Sequence, residues 1–178
     1  MASTISRGRW AATMTLLSTL ALTACGGGST QPEPEETRAQ DSRQFSPDPS
    51  RLPFSAVAGA PETDRWWGVL DGAGYRVEVP KNWNGMLVMY AHGYGGTGPT
   101  VNVSDPPIRE HLIRNGYAWG ASSFSKNYYD VRAGIEDTNG LALAFQRIAV
   151  QNGRTLAAPT KTYIVGTSMG GHIAAAAV

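Results

Sequence analysis

Ser168 lies in the run Gly166-Thr167-Ser168-Met169-Gly170-Gly171, directly after the apolar residues Tyr163-Ile164-Val165. The pattern is that of a nucleophile elbow, a sharp strand-to-helix turn that exposes a reactive serine. The chain must pass from strand to helix within about one residue, which forces the serine into a strained backbone conformation. Residues two before and two after it then come close together, and only small ones fit. Gly166 and Gly170 meet that demand. The helix that follows points its N-terminus, and so a partial positive charge, at Ser168, which favours a developing oxyanion.

The elements that must position this serine can be read upstream. Residues 66–70 and 75–80, joined through Asp71-Gly72-Ala73-Gly74, predict a hairpin whose second strand alternates apolar and polar as a half-buried strand should. Asn82-Trp83-Asn84-Gly85 is a turn. Met86–Ala91 is a continuous apolar run that stops at His92-Gly93, which suits a central strand buried on both faces. Residues 106–115 predict a short helix with Ile108, Leu112 and Ile113 on one side, and 117–122 another apolar strand. Residues 131–152 carry Val131, Ile135, Thr138, Ala142, Phe145 and Ala149 at helical spacing, with Gly153 as the cap. Residues 161–165 are the strand into the elbow. This order predicts an α/β fold: a mostly parallel, doubly wound sheet with an N-terminal antiparallel hairpin. Ligands of such sheets bind outside the carboxyl ends of the strands, so His92-Gly93-Tyr94 and Ser168 should meet there.

With these motifs, residues 66–178 resemble the N-terminal half or so of the α/β-hydrolase superfamily, in its secreted serine esterase, lipase or prolyl-oligopeptidase-like branches. The resemblance implies that Ser168 attacks a carbonyl carbon and that the Met169 backbone N–H is one oxyanion donor. It implies a second donor from the loop His92-Gly93-Tyr94-Gly95-Gly96, with the Tyr94 N–H best placed and with His92 and Gly93 supporting the loop. The loop departs from the family's three-glycine form at Tyr94. The family's acid and general base follow later strands, beyond Val178. His111 reads as a solvated helix residue and His172, four residues after Ser168, as a helix-surface or packing residue out of base geometry. Asp130, Glu136 and Asp137 read as carboxylates favouring a helix start. Tyr128, Tyr129 and Trp119 fit either a pocket wall or the core. The expectation is a serine hydrolase cleaving an ester, rather than an amide, through an acyl-enzyme, with little turnover in a 178-residue fragment truncated after the elbow. The alternative is a non-catalytic cell-envelope lipoprotein that uses the scaffold to bind. The family's strand order, 1-2-4-3-5 and onward, would leave strand 161–165 as an exposed edge here, open to intermolecular pairing.

Composition narrows the partners. The chain has 178 residues, a net charge of +1, and no basic excess, metal-spaced His/Cys cluster or phosphate-cradling loop with a lysine. These features argue against nucleic acid, nucleotide, metal and other cofactors. Residues 1–24 read as a signal sequence: Arg7 and Arg9, an apolar stretch shorter than the ~20 residues a spanning helix needs, then Leu22-Thr23-Ala24 before Cys25, the only cysteine. This resembles a bacterial lipoprotein signal, which implies acylation of Cys25, with a plain secretory signal as the other reading. Removing Arg7 and Arg9 leaves 13 basic against 14 acidic residues. Acylation would anchor the protein to the membrane of the cell envelope by lipid, with the domain extracytoplasmic, and Gly26 suggests the outer membrane in a Gram-negative source. Residues 25–64, rich in glycine, proline and charge, read as a tether, with the domain proper at 65–178.

Overall fold

The computed structural model describes residues 42–178, so the signal sequence and Cys25 lie outside the described residues. β2 (Thr63–Leu70) and β3 (Ala73–Pro80) form the expected hairpin, with Thr63 opposite Pro80 and Leu70 opposite Ala73. Its turn residues Asp71 and Gly72 both have positive φ, 48° and 86°. That is the geometry whose twist matches two right-twisted strands, and it explains the Asp-Gly pair.

The main sheet runs β2-β3-β6-β4-β7, with β4 at Met86–Ala91, β6 at Ala118–Ser122 and β7 at Lys161–Gly166. β4 pairs in parallel with β6 and β7, and β3 is antiparallel to β2 and β6. Only β3 therefore runs against the others. The α/β architecture is as expected, and the sheet follows the order 1-2-4-3-5. β4 is buried on both faces because helices cover both. Leu87 and Met89 pack with Leu141, Phe145 and Ile148 of α2 (Val131–Gln151). Val88 and Tyr90 pack with Leu112 and Ile113 of α1 (Arg109–Arg114) on the other face. A smaller cluster of Ala91, Phe124, Met169 and Ile173 sits under the carboxyl end of β4 and anchors α3 (Met169–Ala176).

α2 ends as its glycine foretold. Gly153 has φ 80°, its N–H donates to Val150 O at 3.0 Å, and Arg154 N donates to Ala149 O at 2.9 Å. These two bonds are a Schellman cap. α1 is shorter than residues 106–115. Ile108 precedes it as an uncapped N-cap residue and is 46% exposed, so it does not join Leu112 and Ile113 in the core.

Two expectations need correction. The tether does not extend to residue 64. β1 (Ser46–Pro47) pairs in parallel with β5 (Thr100–Val101), Leu52 is buried, and Phe54 packs on Trp119 with ring centroids 5.6 Å apart. Proline-rich chain can be built into a fold when its carbonyls find donors, and here arginines supply them. Arg76 Nε donates to Leu52 O (2.8 Å), Arg76 Nη2 to Arg51 O (2.8 Å) and Arg109 Nη2 to Ser55 O (2.7 Å). For the same reason β3 is not half-buried. Val77 and Val79 face α2, but Arg76 and Glu78 on the opposite face lie beneath residues 51–55 and α1. Glu78 is 0% exposed.

Candidate active site

The turn from β7 to α3 carries Ser168 at φ 55°, ψ −123°. A non-glycine residue in such a sparsely populated region costs on the order of 1–3 kcal/mol and persists only where its surroundings over-determine it. Here they do. A Cβ on Gly166 would overlap the Gly170 carbonyl, and a Cβ on Gly170 would overlap the Ala91 carbonyl and lie 2.6 Å from His92 O. Both glycines are thus required by backbone packed on backbone. Thr167 N donates to Ala91 O (3.3 Å), Gly170 N to Thr167 O (2.9 Å) and Gly171 N to Ser168 O (2.9 Å). Tyr90 Oη lies 3.0 Å from Thr167 Oγ1, which ties the residue before the serine to β4. Buried Met169 and Ile173 hold α3 down.

Ser168 itself is exposed, and its side chain makes no capping bond to α3. Its hydroxyl faces the loop that follows β4. A Cβ built on Gly93 would lie 3.2 Å from Ser168 Cβ, 3.4 Å from Thr167 O and 3.8 Å from Ser168 Oγ. The Gly93 backbone therefore borders the serine, and a side chain there would press on Ser168. Tyr94 follows and is 51% exposed. Met169 is the first residue of α3, where the amides have no partners within the helix.

His92 is buried beneath this loop. Its Nδ1 lies 2.6 Å from Gly93 O and its Nε2 3.1 Å from Ser123 O. The ring stacks on Phe124 at 4.2 Å between centroids. Burial holds the imidazole below its usual pKa, against the opposing pull of the two carbonyls. A neutral imidazole has one N–H and so donates to only one of them.

The remaining polar residues are distributed as follows. His172 is exposed and its ring meets Tyr129, with Nδ1 3.5 Å from the phenol oxygen. His111 is exposed on α1. Asp130 caps α2, accepting from Ala133 N at 2.9 Å, and Glu136 pairs with Arg132. Asp137 does not act on a helix start. It accepts from Ser125 N at 2.6 Å and fastens α2 to the loop after β6, and burial raises its pKa. Trp119 is fully buried in the core beside α1, so it forms no pocket wall. Two polar contacts carry no sequence motif, the Tyr90–Thr167 pair beside the serine and the buried amide of Asn127 against the loop after β4. A cavity of about 460 Å³ lies elsewhere, between α2 and β7, bordered by Met89, Ile135, Thr138 and Tyr163. Ser168 does not line it. Among the described residues no cluster of His, Cys, Asp and Glu could hold a metal, and no helix is long and apolar enough to cross a membrane.

No family model and no curated protein matches the chain. Solved structures do. An acylaminoacyl peptidase from Pyrococcus horikoshii is 12% identical at a TM-score of 0.47, over 66% of this chain and 20% of its own. Brefeldin A esterase, described as a bacterial homologue of human hormone-sensitive lipase, is 18% identical at 0.42, over 71% and 38%. Carboxyl esterase 2 of the mycorrhizal fungus Tuber melanosporum is 15% identical at 0.44, over 76% and 43%. The chain thus spans less than half the length of each of these three structures it resembles.

Proposed function

We propose that Ser168 is the nucleophile of a serine hydrolase of the α/β-hydrolase type, acting on an ester in preference to an amide. The observation that carries this reading is a strained, exposed serine bordered by the loop after β4, where a Cβ built on Gly93 would stand 3.2 Å from Ser168 Cβ and 3.8 Å from its Oγ. In the proposed step Ser168 Oγ attacks the carbonyl carbon and the carbonyl π electrons move onto oxygen. The Met169 and Tyr94 N–H groups receive that oxyanion, each donor worth typically ~3–4 kcal/mol of barrier. Collapse expels the alcohol and leaves an acyl-serine, which water then hydrolyses. The hydroxyl proton must pass to a base. In the family this chain resembles, the base is a histidine after later strands, and none of His92, His111 or His172 is placed for that task.

A fluorophosphonate probe on the full-length protein tests the reading. The expected result is a single adduct on Ser168, with ester hydrolysis abolished in Ser168→Ala while the fold is retained. Labelling at another serine, or full activity in the alanine variant, would overturn it. A complete protein that binds esters without cleaving them would point instead to a binding scaffold.

The cell-envelope location is part of the same proposal. Leu22-Thr23-Ala24-Cys25 supports acylation at Cys25 and attachment by lipid. Mass spectrometry of the mature N-terminus should find a lipidated cysteine, and Cys25→Ala should move the protein out of the membrane fraction. An unmodified thiol on a soluble chain would contradict this.

A further inference from the structure

We propose that Asn127 and Tyr128 are positioning residues that fix the Gly93–Gly96 backbone over Ser168 and thereby set the second oxyanion donor. This rests on the hydrolase reading above. Asn127 is 5% exposed. Its Nδ2 donates to Gly98 O at 2.6 Å and to Thr100 O at 2.9 Å. Two carbonyl acceptors on one nitrogen leave a single orientation for the amide, with Oδ1 turned the other way. That oxygen lies only 2.8 Å from where a Cβ on Gly95 would stand. The loop is therefore held from its far side by Nδ2 and bears on Oδ1 at Gly95, one residue from the proposed donor Tyr94.

Tyr128 completes the clamp through its backbone. Its N–H donates to Gly96 O at 2.9 Å, and its φ is 68°, a left-handed conformation unfavourable for an aromatic residue. That conformation allows consecutive residues to present a side-chain amide and a main-chain N–H to the same loop. The Tyr128 ring is stacked beneath the Arg43 guanidinium, 3.7 Å from its centroid, and meets Phe45 edge-on at 6.3 Å. β1, immediately after Phe45, pairs with β5 at the end of the loop, and Ser46 N donates to Pro99 O at 3.0 Å. The loop is thus gripped between the segment before α2 and the N-terminal segment. Neither Asn127 nor Tyr128 is proposed to touch the reacting atoms.

Ester hydrolysis by the catalytically complete protein, with a p-nitrophenyl ester, tests this. Asn127→Ala should lower kcat by about 100-fold, the effect of losing one oxyanion donor, with KM changed by less than about threefold. Tyr128→Gly and Tyr128→Val both remove the ring, but only valine resists a positive φ. The glycine variant should keep kcat within about threefold of wild type, whereas the valine variant should fall about as far as Asn127→Ala. Wild-type kcat in a folded Asn127→Ala protein would overturn the proposal. Equal losses in the two Tyr128 variants would also overturn it, and that comparison decides the matter if Asn127→Ala does not fold. A wild-type protein with no activity dependent on Ser168 would overturn the hydrolase reading and this inference together. Activity that depends on Ser168 but not on Asn127 would overturn this inference alone.

Discussion

Gly170→Ala should dismantle the elbow, whereas Gly171→Ala, one residue along the same helix, should be tolerated. The new methyl at 170 would overlap the Ala91 carbonyl oxygen and lie 2.6 Å from His92 O. Neither atom can move away cheaply. Ala91 is the last residue of β4, paired with Gly166 of β7 just beyond the register with β6, and its carbonyl already accepts from Thr167 N. His92 is pinned by its stack on Phe124. Overpacking of a rigid core costs roughly 1–3 kcal/mol, sometimes more. Here it also pushes α3, and so Ser168, away from the Gly93 loop. At Gly171 the nearest atom to a new Cβ is Gly166 O at 3.8 Å, an ordinary contact. Alanine there should even help, by up to about 1 kcal/mol of helix propensity. Thermal unfolding with phosphonate labelling separates the two. Gly170→Ala is expected to lose stability and labelling together, and Gly171→Ala to keep both. Equal behaviour of the two variants would mean that the elbow is not packed as described.

Replacing Glu78 is expected to be the most destabilising single change remote from the serine. Its carboxylate accepts from Thr63 Oγ1 (2.7 Å), Arg109 Nε (2.7 Å), Arg109 Nη2 (3.1 Å) and Trp119 Nε1 (2.8 Å). Arg109 in turn reaches Asp105 at 2.9 Å, and Asp105 holds Arg76 at 2.8 Å. These groups join β2, β3, β6, α1 and residues 51–55. Glu78→Ala would leave a largely buried guanidinium and a fully buried indole N–H without their acceptor. Breaking one partner of a buried pair typically costs about 3–5 kcal/mol, a large share of the ~5–15 kcal/mol that holds a domain together. Glu78→Gln should also destabilise, because its amide NH2 would face donors. The double change Glu78→Leu with Arg109→Met removes both charges. It should lose less than the sum of the single losses. Urea unfolding of the wild type, Glu78→Ala, Glu78→Gln, the single variants Glu78→Leu and Arg109→Met, and their double measures these losses. A loss below about 1 kcal/mol for Glu78→Ala would show that the network contributes little.

The sequence by itself determined the features that depend on neighbours along the chain. The Asp71-Gly72 turn, the apolar run of β4, the helical spacing and Gly153 cap of α2, and the glycines around Ser168 each follow from local sterics and periodicity. The α/β order followed from them, since consecutive strands and helices leave few unknotted arrangements. The tertiary structure decided what depends on residues distant in sequence. Period-two alternation on β3 says that Glu78 and Val77 face opposite ways, but not that the second face is also covered. Its cover comes from Arg109, 31 residues away, and from residues 51–55, whose composition reads as tether. Proline-rich chain and buried charge both look solvent-directed until each supplies the other's hydrogen bonds. The same holds at the site. The elbow is legible because a short strand-to-helix turn needs small residues, whereas Asn127 has no local signature. Its contacts with the loop after β4 exist only because β6 lies beside β4, which brings the loops after both strands to one end of the sheet.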